Sequence, residues 1–349
     1  MALLVGLNGA GRIGRALIRL LHDDEAVRIH AINDVAEPAV IAGLLRHDSL
    51  YGPFPADVSA GESGGAPCLV VGGREIFCGR ASSPIDANWS AHDVDVIVEA
   101  TGRFARGELA RRHLGGSVTR VLVTAVCPGA DRTIVLGIQD GLVGDDTRIV
   151  STASCTTHAA ALPLAALDHL YGVTAGQMTT IHCTTGSQLT SDGPHADPRR
   201  SRSCLVSMIP TTTSARFGLS DALPGLGDRV SCLAVRVPTA TVSLVELVLE
   251  TRDRLPSTEE LAGRLRQLAE GPLDGLLGVT DEPLVSIDFS GDPRSSIVDL
   301  LLLEAPGPRL VRVIAWYDNE WGYASRVAEL LRIWAGSTPP RAQWLEANS

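Results

Sequence analysis

The sequence predicts an α/β plus α+β chain: a doubly wound, mainly parallel sheet comes first, then a second α+β domain built on a mostly antiparallel sheet. Three observations carry this. Short apolar runs alternate with helical patterns up to about residue 150. Beyond that point the runs lengthen, become rich in Val, Ile, Leu and Thr, and have few helices between them. A chain of 349 residues with 45% hydrophobic content is also long enough for about two domains with sizeable cores.

Ala2–Leu7 reads as a buried strand, Arg12–Leu21 as a helix and Val27–Ile32 as the next strand. Val94–Glu99, Val121–Thr124 and Thr133–Leu136 are further short apolar runs. Runs of this kind separated by helices imply βαβ units. The segments 174–184, 229–237, 241–251, 295–304 and 309–317 supply the long strands of the second domain. Residues 186–207 lack periodicity and carry Gly, Pro, Ser and Arg, and so long a loop in a compact domain is often functional. Near the end, Tyr323, Val327, Leu330, Leu331 and Trp334 share one helical face, and the last dozen residues read as a tail. The domain boundaries are set at 1–154, 155–320 and 321–349, with the last segment a helix that packs back on the first domain, plus the tail.

All 30 basic residues are Arg and none is Lys. That excludes a Schiff-base lysine and a phosphate-loop lysine, because Arg stays protonated and is not a nucleophile. With 40 acidic residues the net charge is -10, a poor match for nucleic acid or anionic lipid. No apolar run approaches the ~18 residues of a membrane span, and residues 1–14 turn glycine-rich before a signal-like region could form. The seven Cys are scattered and odd in number, which points to a reducing cytoplasm rather than a disulfide framework. Neither C-x-x-C nor H-E-x-x-H occurs, so no metal site is expected.

Gly9-Ala10-Gly11-Arg12-Ile13-Gly14 matches G-x-G-x-x-G, follows the first strand and opens the first helix. Asp34 lies 20 residues beyond Gly14, at the end of the second strand. Glycines there allow a tight turn and close approach of a pyrophosphate, and the helix start offers free N–H groups. The acid accepts from ribose hydroxyls and repels a 2′-phosphate, so the pattern predicts a Rossmann-type domain that takes NAD.

Ser151-Thr152-Ala153-Ser154-Cys155-Thr156-Thr157 leads into an Ala/Leu-rich helix, inside which Pro163 predicts a kink. A thiol at a helix start meets unpaired N–H groups and the positive dipole end, which lower its pKa and can hold an oxyanion. The competing reading of Cys155 is a small buried hydrophobe. His182 closes a β-branched strand and is a candidate base. His47, His113, His158, His169 and His195 are rivals, and the sequence does not pair any of them with Cys155. Arg199, Arg200 and Arg202 crowd the irregular loop, with Thr185, Ser187, Thr211, Thr212 and Thr213 flanking it and Arg236 on a following strand. Arg with hydroxyls suits phosphate, against the alternative of a solvated surface. Gly61-Glu62-Ser63-Gly64-Gly65 fits G-x-S-x-G but precedes a strand-like run, Pro67–Val71, and so lacks the context of a nucleophile elbow.

These pieces in this order resemble the phosphorylating glyceraldehyde-3-phosphate dehydrogenases over about residues 2–335. The matching stretches include GLNGAGRIGR (6–15), EATGRF (99–104), STASCTTH (151–158), TTIH (179–182), DGPHADPRRSR (192–202), IPTTTSA (209–215) and WYDNEWGY (316–323). The resemblance implies that Cys155 attacks an aldehyde, that His182 acts as base while hydride passes to NAD, and that inorganic phosphate cleaves the thioester. It implies that Thr185 and Arg236 hold the substrate's phosphate, beside Ser154, and that Ser187, Arg202 and Thr213 hold inorganic phosphate. Asn319 resembles the residue that holds the nicotinamide carboxamide. Arg12, Ile13 and Thr101 resemble further cofactor contacts, and Pro194 with Asp34 resembles the NAD-preferring members. The irregular loop resembles a subunit-contact loop, and a homotetramer is implied.

The sequence departs from the family pattern near this site. His158 and Ala159 replace Asn and Cys, and H-A-Y-T becomes His182-Cys183-Thr184-Thr185. Ser214 replaces a Gly whose backbone helps bind phosphate, and a Lys is lost near Arg216 and Phe217. Ala240 and Thr241 alter P-T-P-N-V-S. These changes leave open a relative acting on another phosphorylated or phosphonylated aldehyde, such as erythrose 4-phosphate. An inhibitor-insensitive isozyme and a catalytically weak NAD-binding paralogue are further alternatives.

Overall fold

The computed structural model describes residues 2–139, 141–340 and 345. They fall into two units, 2–134, 141–153 and 324–340 in the first, 135–139 and 154–323 in the second. Most of the expected tail, 341–344 and 346–349, lies outside the described residues.

The first unit is built on a nine-stranded sheet. Its strands are β1 (Leu3–Asn8), β2 (Val27–Asn33), β3 (Val58–Ser63), β4 (Ala66–Val71), β5 (Arg74–Gly79), β6 (Val96–Glu99), β7 (Arg120–Val123), β8 (Arg132–Thr133) and β9 (Ile149–Ser151). Their spatial order is β8-β9-β7-β6-β1-β2-β5-β4-β3, parallel from β8 to β5 and antiparallel at the β5-β4-β3 edge. Val5 and Leu7 of β1 and Val96, Ile97 and Val98 of β6 are buried, as the central strands of a covered parallel sheet require. Helix α1 (Arg12–Leu21) buries Leu17, Ile18 and Leu21, and α2 (Pro38–Arg46) buries Ile41 and Leu45. The register pairs Asn8 with Asn33 and with Glu99, so three polar side chains share the C-terminal edge of the sheet, where ligands of open α/β sheets bind. The Gly61–Gly65 stretch runs through a β3–β4 hairpin with Gly64 and Gly65 at positive φ, not a strand-to-helix elbow.

Two expected strands are shorter than their apolar runs. Of Thr133–Leu136, only Thr133 joins the ladder, as the end of β8, and Val135 and Leu136 group with the second unit. In 295–304 the strand stops at Asp299, whose carboxylate accepts from Leu301 N (3.1 Å) and turns the chain into a short 3-10 helix.

The second unit opens with α3 (Cys155–Tyr171), which is apolar around most of its surface, hence buried, and runs through Pro163 as one helix. Ser154 caps it, its Oγ accepting from Thr157 N (3.1 Å). The sheet has β10 (Val173–His182), β11 (Ile209–Thr211), β12 (Val230–Arg236), β13 (Ser243–Thr251), β14 (Leu277–Thr280), β15 (Ser296–Asp299), β16 (Glu304–Gly307) and β17 (Leu310–Tyr317). The order is β11-β12-β10-β13-β17-β15-β14, with β16 against β17. Most neighbours are antiparallel as expected, but β10–β12 and β14–β15 are parallel. That parallel pair matters: its register sets His182 beside Arg236. The adjoining antiparallel register sets Ser243 beside Tyr317, so one end of the sheet collects all four side chains. Helices α4 (Ala215–Ala222) and α5 (Thr258–Glu270) complete the unit. The last helix, α6 (Trp321–Trp334), contributes its residues from Ala324 onward to the first unit, where Arg332 Nε meets Asp24 at 2.7 Å.

Candidate functional site

The glycine-rich turn of the first unit has the geometry its sequence predicts. Gly9 has φ +100°, a conformation that L side chains rarely adopt. A Cβ on Gly14 would sit 2.1 Å from the Gly9 carbonyl oxygen, so the helix packs against the turn only with glycine there. A Cβ on Gly11 would meet nothing, because this glycine borders an open cleft. Asn8, Gly9, Asn33, Asp34 and Thr101 line the same cleft. One oxygen of Asp34 accepts from Ala10 N (2.7 Å), tying the acid to the turn. Arg12 leaves the turn to pair with Asp48 and stack over Tyr51, and Ile13 is half-buried behind it. Thr101 N donates to the buried Glu99 carboxylate (2.9 Å), which fixes that wall. An open, backbone-lined cleft with an acid at its rim fits a dinucleotide.

In the second unit the first residue of α3 meets the last residue of β10. Cys155 Sγ lies 3.6 Å from His182 Nε2. His182 is buried, while part of Cys155 remains accessible. His182 Nδ1 lies 2.9 Å from the Cys183 carbonyl, and Arg236 Nη1 reaches both that oxygen (3.1 Å) and Nδ1. These neighbours ask for different tautomers. With its proton on Nδ1 the ring donates to the carbonyl and leaves Nε2 to accept from the thiol. With Arg236 donating to Nδ1, the proton sits on Nε2 and points at sulfur.

Burial, and then the Arg236 charge, push the His182 imidazolium down to about 3. Burial pushes the Cys155 thiol up, against the lowering effect of Arg236. The helix start is expected to lower this pKa; desolvation acts in the opposite sense and is the larger effect. At neutral pH burial therefore favours a neutral thiol and a neutral imidazole.

Of the other residues singled out as anion contacts, Arg236 is the one brought to the thiol. Its Nε is buried with no hydrogen-bond partner. Thr185 and Ser187 lie together, their hydroxyls 3.2 Å apart. Arg202 is exposed and paired with Asp192 (2.8 Å), and Arg200 Nε donates to Thr211 (2.9 Å). Thr213 Oγ accepts from Ala215 N (3.2 Å) at the start of α4, and Ser214 is exposed at that helix's N-cap. Asn319 is buried, with its Oδ1 engaged by Cys183 and Ser243.

Tyr317 carries a role that sequence reasoning did not assign. Its hydroxyl lies 3.0 Å from Thr156 Oγ and 2.9 Å from Thr180 Oγ, so it ties the start of α3 to β10, and its ring meets His182 edge-on. Its place inside WYDNEWGY was the available signal.

A dinucleotide cleft in one unit and a thiol–imidazole pair backed by arginine in the other are the equipment of a nicotinamide-dependent oxidoreductase. The family model described as glyceraldehyde 3-phosphate dehydrogenase, NAD binding domain, matches residues 3–107, and that for the C-terminal domain matches 154–319. Glyceraldehyde-3-phosphate dehydrogenase 1 of Bacillus cereus is 42% identical over 93% of this chain and 96% of its own. The enzyme of Kitasatospora aureofaciens is 41% identical over 95% and 98%, and that of Geobacillus stearothermophilus 39% over 95% and 97%. The chain belongs to the glyceraldehyde-3-phosphate dehydrogenase family. It is an NAD-dependent oxidoreductase acting on an aldehyde group.

Proposed function

We propose that the chain oxidises glyceraldehyde 3-phosphate to 1,3-bisphosphoglycerate with NAD and inorganic phosphate, through a thioester on Cys155. The observation that carries this is the 3.6 Å approach of Cys155 Sγ to His182 Nε2 with Arg236 in register beside it. His182 takes the thiol proton, sulfur bonds to the aldehyde carbon, and His182 passes that proton to the carbonyl oxygen to give a thiohemiacetal. NAD, when bound, supplies the hydride acceptor. His182 Nε2 then takes the hydroxyl proton, leaving the thioester. Inorganic phosphate attacks that carbon, the C–S bond breaks, and the thiolate returns.

Arg236 and Thr185, beside Ser154, hold the substrate's phosphate. A phosphate there draws the guanidinium away from His182 Nδ1, which favours the tautomer with Nε2 free. Ser187, Arg202, Thr213 and Ser214 hold inorganic phosphate, for which Arg202 exchanges its exposed partner Asp192. Gly9, Gly11, Arg12, Ile13, Gly14, Asp34, Thr101 and Asn319 hold NAD. The exposed Leu205 and Val206 in the irregular loop and Met208 just after it support a homotetramer, and seven free cysteines support a cytoplasmic setting.

NADH formation from glyceraldehyde 3-phosphate, measured with and without inorganic phosphate, tests this. Phosphate-dependent NADH is expected. No NADH contradicts the reading, and turnover independent of phosphate points to a hydrolysing relative.

A further inference from the structure

Cys183 stands where the family pattern has Ala, and it is buried at 1% exposure. Its Sγ lies 3.1 Å from Asn319 Oδ1. Ser243 Oγ lies 3.2 Å from the same oxygen and 3.1 Å from Cys183 N. The directions follow from the donors. A backbone N–H only donates, so Cys183 N fills a lone pair of Ser243 and leaves the hydroxyl proton for Asn319. Burial pushes the Cys183 thiol up to about 12, so it stays S–H and donates as well. With Oδ1 taking both bonds, the amide's Nδ2 amino group remains for a ligand. A flipped amide would set N–H groups against a thiol and a hydroxyl whose protons already point at it, in a buried site where such mismatches are costly.

We propose that Cys183, together with Ser243, is a positioning residue that fixes the sense of the Asn319 amide, so that Asn319 donates to the carbonyl oxygen of the nicotinamide carboxamide rather than accepting from its amine. This rests on the reading of Asn319 as a nicotinamide contact. Residue 183 thereby serves both halves of the reaction: its carbonyl holds His182 Nδ1 and its thiol holds Asn319.

The test is direct binding by calorimetry, without aldehyde, of NAD and of its 3-acetylpyridine analogue, which keeps the carbonyl and replaces the amine by methyl. The wild-type protein binds the two within about threefold. Cys183→Ala weakens both by about three- to tenfold, as expected for one lost hydrogen bond, and raises KM for NAD with kcat little changed. Cys183→Ser restores binding. A preference of tenfold or more for NAD over the analogue overturns the proposal. So does unchanged binding in Cys183→Ala, or a loss that Cys183→Ser does not rescue. Because no aldehyde is present, failure to oxidise glyceraldehyde 3-phosphate would leave this result standing.

Discussion

Cys155 and His182 are 27 positions apart in the chain, yet sulfur and Nε2 are separated by 3.6 Å. The contact depends on a helix start and a strand end arriving at the same edge of one sheet. His182→Asn removes the base while leaving the thiol. We expect kcat to fall by about a hundredfold or more, with KM for the aldehyde little changed. Steady-state NADH formation measures this, and a loss under about fivefold would contradict the role of His182.

Arg236 acts on both members of the pair with known signs. Its charge lowers the Cys155 thiol and lowers the His182 imidazolium. Arg236→Gln therefore raises both. The pH dependence of Cys155 alkylation, followed on its own peptide by mass spectrometry, should move to higher pH in the variant. A shift to lower pH would contradict this electrostatic account.

Acid should weaken the fold through the same histidine. The His182 imidazolium sits at about 3, against ~6.5 for an unperturbed group, so the folded chain binds fewer protons than the unfolded one between those values. The resulting stability is fully present above about pH 6.5 and is lost as pH falls toward 3. Urea unfolding at about pH 7 and about pH 4 should show a larger loss in the wild-type protein than in His182→Asn. Equal losses would contradict burial of a neutral imidazole.

Tyr317→Phe deletes the hydroxyl shared by Thr156 and Thr180 and leaves Thr156 short of a partner in a buried site. We expect about 1–3 kcal/mol less stability. Because the bridge aligns the two reacting residues, kcat should also fall about tenfold, with KM for the phosphorylated aldehyde unchanged. Full activity with lowered stability would reduce Tyr317 to a packing role.

Arg202→Gln separates the two anion contacts. Arg202 is exposed and bound to Asp192, so its loss should leave thermal stability unchanged. KM for inorganic phosphate should rise about tenfold or more, while KM for NAD stays constant. An unchanged phosphate KM would remove Arg202 from the site.

Local patterns in the sequence carried much of this architecture. The glycine turn and the capped helix start at Cys155 are each legible within a dozen residues, because turn chemistry and dipole ends are local, and Asp34 is legible from its spacing of 20 residues beyond Gly14. The pairing of His182 with Cys155 is not, since five other histidines fit the composition equally and the choice is made by the end of β10 meeting the start of α3 in the folded unit. Tyr317 lies 161 positions from Thr156 and Asn319 lies 136 from Cys183, separations at which periodicity says nothing. The Cys155 pKa depends on desolvation, a property of the assembled core that the helix-start argument omits.

The central claim is covalent catalysis at Cys155, and trapping the intermediate tests it most directly. The protein is mixed with glyceraldehyde 3-phosphate and NAD without inorganic phosphate, quenched, digested and read by mass spectrometry. The account predicts a burst of about one NADH per chain and a 3-phosphoglyceroyl adduct on the Cys155 peptide, both absent in Cys155→Ser. A burst without that adduct, or an adduct on another cysteine, would contradict it.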